Sequence, residues 1–258
     1  MRIVTWNTQG NFKSQGKLSN ILRFNPDIIC LQECGDIFSV LGYDFERKRS
    51  SLYYKKCSFG SSFRPKYYHV FYYSWRNASR CSMATLVKAE YNVEKVCLHY
   101  YDYSDYYADR RWLPDDIYDF FSEEGYDAPA YDSTGRRGLR AMLQVIVDLD
   151  GSDRDYISIN NVHLPSGRPR YAMKVAKSFF RKCRHRNSYV IMIGDMNIPA
   201  FMWEGQTIPY RQYSTREATH QKGYRLDYLF TDLATPSTIE SSRYFCQSDH
   251  LAVKYIFD

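Results

Sequence analysis

Ten short apolar runs are strung along this 258-residue chain, and only two stretches between them carry a helical period. The runs are Arg2–Trp6, Ile28–Leu31, Val70–Tyr73, Ala84–Val87, Val93–Leu98, Leu143–Val147, Tyr156–Ile159, Tyr189–Ile193, Tyr228–Phe230 and Ala252–Phe257. Runs this short, several separated by Gly, Ser, Asn or Asp, read as strands. Ile28–Leu31 and Tyr189–Ile193 are apolar almost without a break, the pattern of a sheet buried on both faces. The first helical stretch, Lys17–Phe24, puts Leu18, Ile21 and Leu22 on one face, and Pro26 stops it. In the second, Arg170–Arg184, Met173, Ala176, Phe180 and Cys183 share a face. Basic residues crowd its end, where the helix dipole favours them. There is no internal repeat and no Pro/Gly/Ser linker. The expectation is one α/β domain over residues 1–258, built on packed sheets.

A composition of 44% hydrophobic and 25% charged residues excludes a disordered chain, a collagen and a coiled coil. No apolar run approaches the ~20 residues of a membrane span, and no secretory pattern is visible at the N-terminus. The seven cysteines are odd in number and scattered, with no CxxC pair, which fits neither a disulfide framework nor a zinc site. They are expected to be buried free thiols. Net charge is +6, but unevenly distributed: His99–Thr134 holds ten acids against Arg110 and Arg111, so it carries −8 and leaves +14 on the remainder. So basic a body favours a polyanionic partner, nucleic acid or anionic phospholipid. The acidic, tyrosine-rich segment at about 99–134 reads as a surface insert that repels nucleic acid, shields the basic body or docks on a protein partner. Tyrosine pairs such as Tyr67-Tyr68 and Tyr72-Tyr73 would send one ring to each face of a strand.

Polar residues gather at the ends of the apolar runs, where a rigid sheet can present catalytic groups. The pieces are Trp6-Asn7, Gln32-Glu33, Asn161-Val162-His163, Gly194-Asp195-Met196-Asn197, Leu226-Asp227-Tyr228 and Ser248-Asp249-His250. Each is weak alone. Together they are the inventory of metal-assisted phosphodiester hydrolysis. A hard cation takes carboxylate and carbonyl oxygens and keeps several waters, which Glu33, Asn7 and Asp249 can supply. The attacking water needs orienting and deprotonating, a role for Asp195 with Asn197 beside it. His163 and His250 can hold or give a proton near neutral pH, and Asp227 can orient His250.

In this order and spacing the set WN…QE…H…GDMN…LDY…SDH resembles the endonuclease/exonuclease/phosphatase family, whose type member is deoxyribonuclease I. Within it, TWNTQG, LQECG, the stretch Val70–Val87 and THQKGYRLDYLFTD are most similar to the cytolethal distending toxin B subunits. The resemblance implies a four-layer α/β sandwich with two central mixed sheets flanked by helices. It implies Glu33 as main metal ligand for Mg²⁺, with Mn²⁺ or Ca²⁺ as alternatives, and Asn7 and Asp249 near the ion. His163 and His250 become the catalytic pair, completed by Asp195 and Asp227, with Asn197, Arg80 and Arg140 on the substrate phosphate. The implied activity is a Mg²⁺-dependent DNA endonuclease that nicks with little sequence specificity. Two rivals remain, a phosphoinositide or other phosphomonoester phosphatase on the same fold and a catalytically inactive binding module. No residue gives a cue for telling RNA from DNA through the 2′-hydroxyl. The expected setting is the cytoplasm, or a target cell into which the protein is delivered as a toxin-like effector acting on nuclear DNA.

Overall fold

A computed structural model describes residues 1–10, 15–49, 51–59, 65–74, 82–100, 141–149, 156–166, 169–242 and 246–258. Arg80, Arg140 and the acidic segment beyond Tyr100 lie outside the described residues. In chain order the elements are β1 (Arg2–Asn7), α1 (Gln15–Leu22), β2 (Ile28–Gln32), α2 (Phe38–Leu41), β3 (Glu46–Arg49), β4 (Leu52–Phe59), β5 (Lys66–Tyr73), β6 (Met83–Lys88) and β7 (Asn92–Tyr100). They continue with β8 (Ala141–Asp148), β9 (Tyr156–His163), α3 (Pro169–Lys182), β10 (Tyr189–Asp195), β11 (Arg211–Tyr213), β12 (Asp227–Thr231), β13 (Thr238–Ser241) and β14 (Val253–Ile256).

The strands form two mixed sheets, one of eight in the order β13-β14-β1-β2-β6-β5-β4-β3 and one of six in the order β11-β12-β10-β9-β8-β7. The parallel pairs are β1 with β2 and β9 with β10. Strand alternation explains the unbroken apolar runs. In β10, Ile191 and Ile193 join the core between the sheets, while Val190 and Met192 face α3. In β2, Ile28 and Cys30 point between the sheets, and Ile29 and Leu31 point to the layer holding Leu18 and Ile21 of α1. Helix α3 covers the outer face of the six-stranded sheet with Ala172, Met173, Val175, Ala176, Phe179 and Phe180. Four layers result, as the resemblance implies.

All ten apolar runs lie in or against strands. Four further strands were not read from the sequence, and three of them (β3, β11 and β13) are sheet edges. Edge strands such as Glu46-Arg47-Lys48-Arg49 carry charge rather than apolar alternation, which discourages pairing with other chains. The first helix ends at Leu22 rather than Phe24, with Phe24 and Asn25 closing a turn back onto Ile21 and Leu22. Both Tyr72 and Tyr73 are buried, on opposite faces of β5, whereas Tyr67 is exposed and Tyr68 buried. Cys30, Cys34, Cys57 and Cys183 are buried free thiols, while Cys97 and Cys246 are half-buried.

Candidate active site

Register brings the chemical groups together. In the parallel pair β1–β2, Asn7 lies opposite Gln32; in β9–β10, Asp195 lies opposite His163, and on its other side opposite Asp227 of β12. Parallel strands end side by side, so the polar pieces that follow them meet on one rim. Beneath that rim a buried amide pair joins the two sheets. Gln32 Nε2 donates to Asn161 Oδ1 (2.8 Å) and Thr5 Oγ1 (3.0 Å), and Asn161 Nδ2 donates to the carbonyls of Leu31 (3.1 Å) and Ala84 (3.0 Å). A satisfied polar contact inside an apolar core fixes how the sheets slide past each other, since any slip strands buried donors.

The loops on the rim hold uncommon backbone. Gln9, Glu33 and Asn197 have φ of 53°, 48° and 50°, a region non-glycine residues rarely occupy and one that clusters at functional sites. Thr8 braces the turn after β2 through its hydroxyl to the Glu33 carbonyl (2.9 Å), and Gly10 N–H donates to the same oxygen (2.6 Å). Lys17, reaching in from α1, is only 1% exposed. Its ammonium donates to the carbonyls of Thr8 (3.1 Å) and Gln247 (3.2 Å) and lies over the Trp6 ring, tying the loop after β1 to the one that carries Asp249 and His250.

At the centre, Asn7 Nδ2 donates to Asp195 Oδ2 (2.9 Å) and Glu33 Oε1 (3.2 Å), bracketing the two carboxylates, while its Oδ1 accepts from Gln9 N–H (3.0 Å). Asn197 donates through its backbone N–H to Asp195 Oδ1 (2.9 Å) and through Nδ2 to Asp195 Oδ2 (3.2 Å) and the Leu164 carbonyl (2.8 Å). His250 Nδ1 is 2.8 Å from Asp227 Oδ2, which leaves Nε2 facing Asp195 Oδ2 at 3.5 Å. His163 Nε2 approaches the same cluster from β9, 3.4 Å from Glu33 Oε1 and 3.8 Å from Asp195 Oδ2. Asp249 stands to one side, its Oδ1 4.0 Å from His250 Nε2. Its Oδ2 meets His220 Nε2 at 3.4 Å, a residue the sequence reading passed over. The Lys222 N–H donates to His220 Nδ1 (3.0 Å), so in the neutral ring Nε2 carries the proton and faces Asp249. Its one cue in the sequence is its place in THQKGYRLDYLFTD, the segment similar to the toxin B subunits.

Burial divides the carboxylates into two kinds. Asp195 and Asp227 are enclosed (1% and 0% side-chain exposure), whereas Glu33 and Asp249 reach solvent (20% and 31%). The enclosed pair charges His250. Burial opposes its protonated form, but the Asp227 and Asp195 carboxylates outweigh it and raise the pKa to about 10. Burial, with Asp227 nearby, pushes Asp195 up to about 7 against the pull of His250. Glu33 and Asp249 each offer oxygen donors at the water boundary, the kind a hard hydrated cation takes. Among the described residues two groups draw ligand atoms within 4.8 Å of one another, His220–Asp249–His250 and Asp195–Asp227–His250, and Glu33 is in neither. In the second, one histidine nitrogen is already committed to Asp227.

The sequence model of the endonuclease/exonuclease/phosphatase family matches residues 4–250. The chain belongs to this family. Membership places its chemistry among metal-dependent hydrolases of phosphodiester bonds. Cytolethal distending toxin from Actinobacillus actinomycetemcomitans superposes with a TM-score of 0.62 at 16% identity, covering 100% of this chain and 98% of that one. CdtB, described as the biologically active subunit of the toxin, gives 0.60 at 17% identity over 100% and 97%. D. rerio TDP2 complexed with a single-strand DNA product gives 0.60 at 14% identity over 99% and 97%. At these identities the likeness is one of fold. A search of curated proteins by sequence found no match. Among the described residues no helix is long and apolar enough to cross a membrane.

Proposed function

We propose that this protein is a Mg²⁺-dependent DNA endonuclease that nicks the phosphodiester backbone with little sequence specificity. The observation that carries the reading is the division of carboxylates: an enclosed Asp227–His250 pair against Asp195, beside solvent-open Glu33 and Asp249. Glu33 and Asp249 would hold the ion, with Asn7 beside it. When bound, it supplies a Lewis acid for a phosphoryl oxygen. Asp195, held by Asn7 and Asn197, takes a proton from the attacking water. His250, kept protonated by Asp227, presents Nε2–H to the developing charge, and His163 offers a second donor across the cluster. The basic body favours DNA, and TDP2, of similar fold, is known with a DNA product. Arg80 and Arg140 are assigned to the substrate phosphates by resemblance. By the same resemblance the protein acts as a delivered effector on the DNA of a target cell, with the acidic segment available to a protein partner.

Supercoiled plasmid should relax with Mg²⁺ and stay intact with EDTA. Phosphate release from phosphoinositides without any nicking would replace this reading by the phosphatase. Glu33→Gln removes a charge from the open carboxylates, so calorimetry should show Mg²⁺ affinity lower by about tenfold or more. Unchanged affinity removes Glu33 from the ligands.

The pH profile on a small diester should be bell-shaped. Activity rises through about pH 7 as Asp195 loses its proton and falls near pH 10 as His250 loses its own. Asp227→Asn takes away the main charge that holds the proton on His250, so the alkaline limb should move to lower pH. A limb that stays in place would show that Asp227 does not govern His250.

A further inference from the structure

Helix α3 presents a basic face on the outside of the six-stranded sheet, away from the catalytic cluster. From Lys174 onward every residue of α3 that reaches solvent is Lys or Arg. Arg170, Lys174, Lys177 and Arg181 follow one another at spacings of four, three and four, which places them in a single stripe. The stripe spans about 16 Å at 1.5 Å per residue. No aspartate or glutamate occurs between residues 156 and 194. Lys177 donates to the neutral amide of Gln206 (2.9 Å), and Lys182 to the carbonyl of Tyr100 (3.2 Å), contacts that leave both charges uncancelled. Between described residues, the ion pairs Arg184–Asp232 and Arg186–Glu94 belong to the loop beyond the helix.

Such a stripe weakens the helix that carries it, because like charges three and four residues apart repel. Surface helices gain solubility from mixed charges, so folding alone does not account for it. A lipid surface fits poorly. Interfacial helices insert an apolar face, and here that face, with Val175, Phe179 and Phe180, is already packed on the six-stranded sheet. A regular row of phosphates fits well. One DNA strand carries a charge about every 3.4 Å of axis and turns once in about 34 Å. The stripe therefore lies along about half a turn, with phosphates of both strands within reach of its four cations. The helix also begins a short loop after His163, so the stripe starts near the catalytic rim and leads away from it.

We infer that the outer face of α3 is a second DNA-binding surface, gripping the backbone of a long duplex away from the bond being cut. The inference rests on the proposed nuclease reading and adds to it a site outside the catalytic cluster. Its ligand is a phosphodiester backbone of any sequence, since Lys and Arg on a surface stripe neutralise phosphates without reading base edges.

The test replaces Arg170, Lys174, Lys177 and Arg181 together by glutamine, a good helix former. Duplex binding is measured across a salt series, and hydrolysis of a small phosphodiester in parallel. A control variant replaces Arg2, Arg47, Lys48 and Lys56 by glutamine, lowering net charge equally on the other sheet. The α3 variant should bind long duplex about tenfold or more weakly, with a salt slope flatter by up to about 3.6, and hydrolyse the small diester as the wild type does. The control should keep the wild-type slope. Equal losses in both variants would mean net charge alone, and unchanged DNA binding would overturn the surface. Unchanged DNA binding with lost binding to phosphatidylserine vesicles would overturn it in favour of a membrane. A wild type that binds duplex through α3 yet cleaves no diester would sink the nuclease reading and leave this surface standing.

Discussion

His250→Gln is expected to lower turnover by about 10²–10⁴-fold, the contribution typical of a positioned proton donor, in a protein that still folds but melts lower because Asp227 loses its buried partner. Two features single out this residue. Its Nδ1 is fixed at 2.8 Å from Asp227, and its free Nε2 lies 3.5 Å from Asp195, where glutamine has no acidic proton to offer. The fold also gives up stability to hold the pair. Among the described residues Asp227 Oδ1 is buried without a hydrogen-bond partner, an arrangement that costs about 1–3 kcal/mol. A carboxylate kept there at that cost is explained by the charge it maintains on His250. His163 faces the same carboxylate cluster from the opposite sheet pairing, so His163→Gln should show a similar loss. Groups that act in one transition state are not additive, and the double variant should be little slower than either single one. Kinetics on a small diester decide this. Full activity in His163→Gln would take that residue out of the mechanism, and losses that multiply in the double variant would mean the two act in separate steps.

The catalytic groups were legible because each ends an apolar run, and parallel pairing places such ends together. Residues that act through contacts far along the chain were not. Asn161 meets Gln32 across 129 positions and Lys17 meets Gln247 across 230, and no local pattern announces either. A lysine in an amphipathic helix ordinarily faces water; Lys17 faces inward because two loop carbonyls and a Trp ring receive it. His220 is positioned by a bridge to His250 that exists only once β12 and the segment before β14 have come together. Central strands such as β2 and β10 declare themselves by apolar content, whereas β3, β11 and β13 are held by one neighbour and stay polar on their free side. Their assignment depends on the partner strand rather than on their own residues.

That dependence on neighbours is sharpest at Gly194. It lies between β9 and β12, opposite Val162 and Tyr228, and immediately precedes Asp195. Its φ is 143°, and a Cβ there would stand 2.0 Å from the Val162 carbonyl oxygen. That atom is backbone in the middle of a sheet, so it cannot swing aside as a side-chain end can. Gly194→Ala should therefore force β10 away from β9, breaking the parallel ladder that sets Asp195 opposite His163. The expected loss is about 4 kcal/mol or more, in the range reserved for severe core disruption, and any folded fraction should be catalytically poor. Gly205→Ala is the matched control. Its φ of 71° strains an alanine, but nothing lies within 4 Å of the added carbon. Strain alone predicts about 1 kcal/mol. Thermal melts of the two variants separate the effects. A Gly194→Ala protein that melts with the Gly205→Ala protein would show that β9 and β10 yield to the extra carbon, and that the close approach is not what holds Asp195 in place.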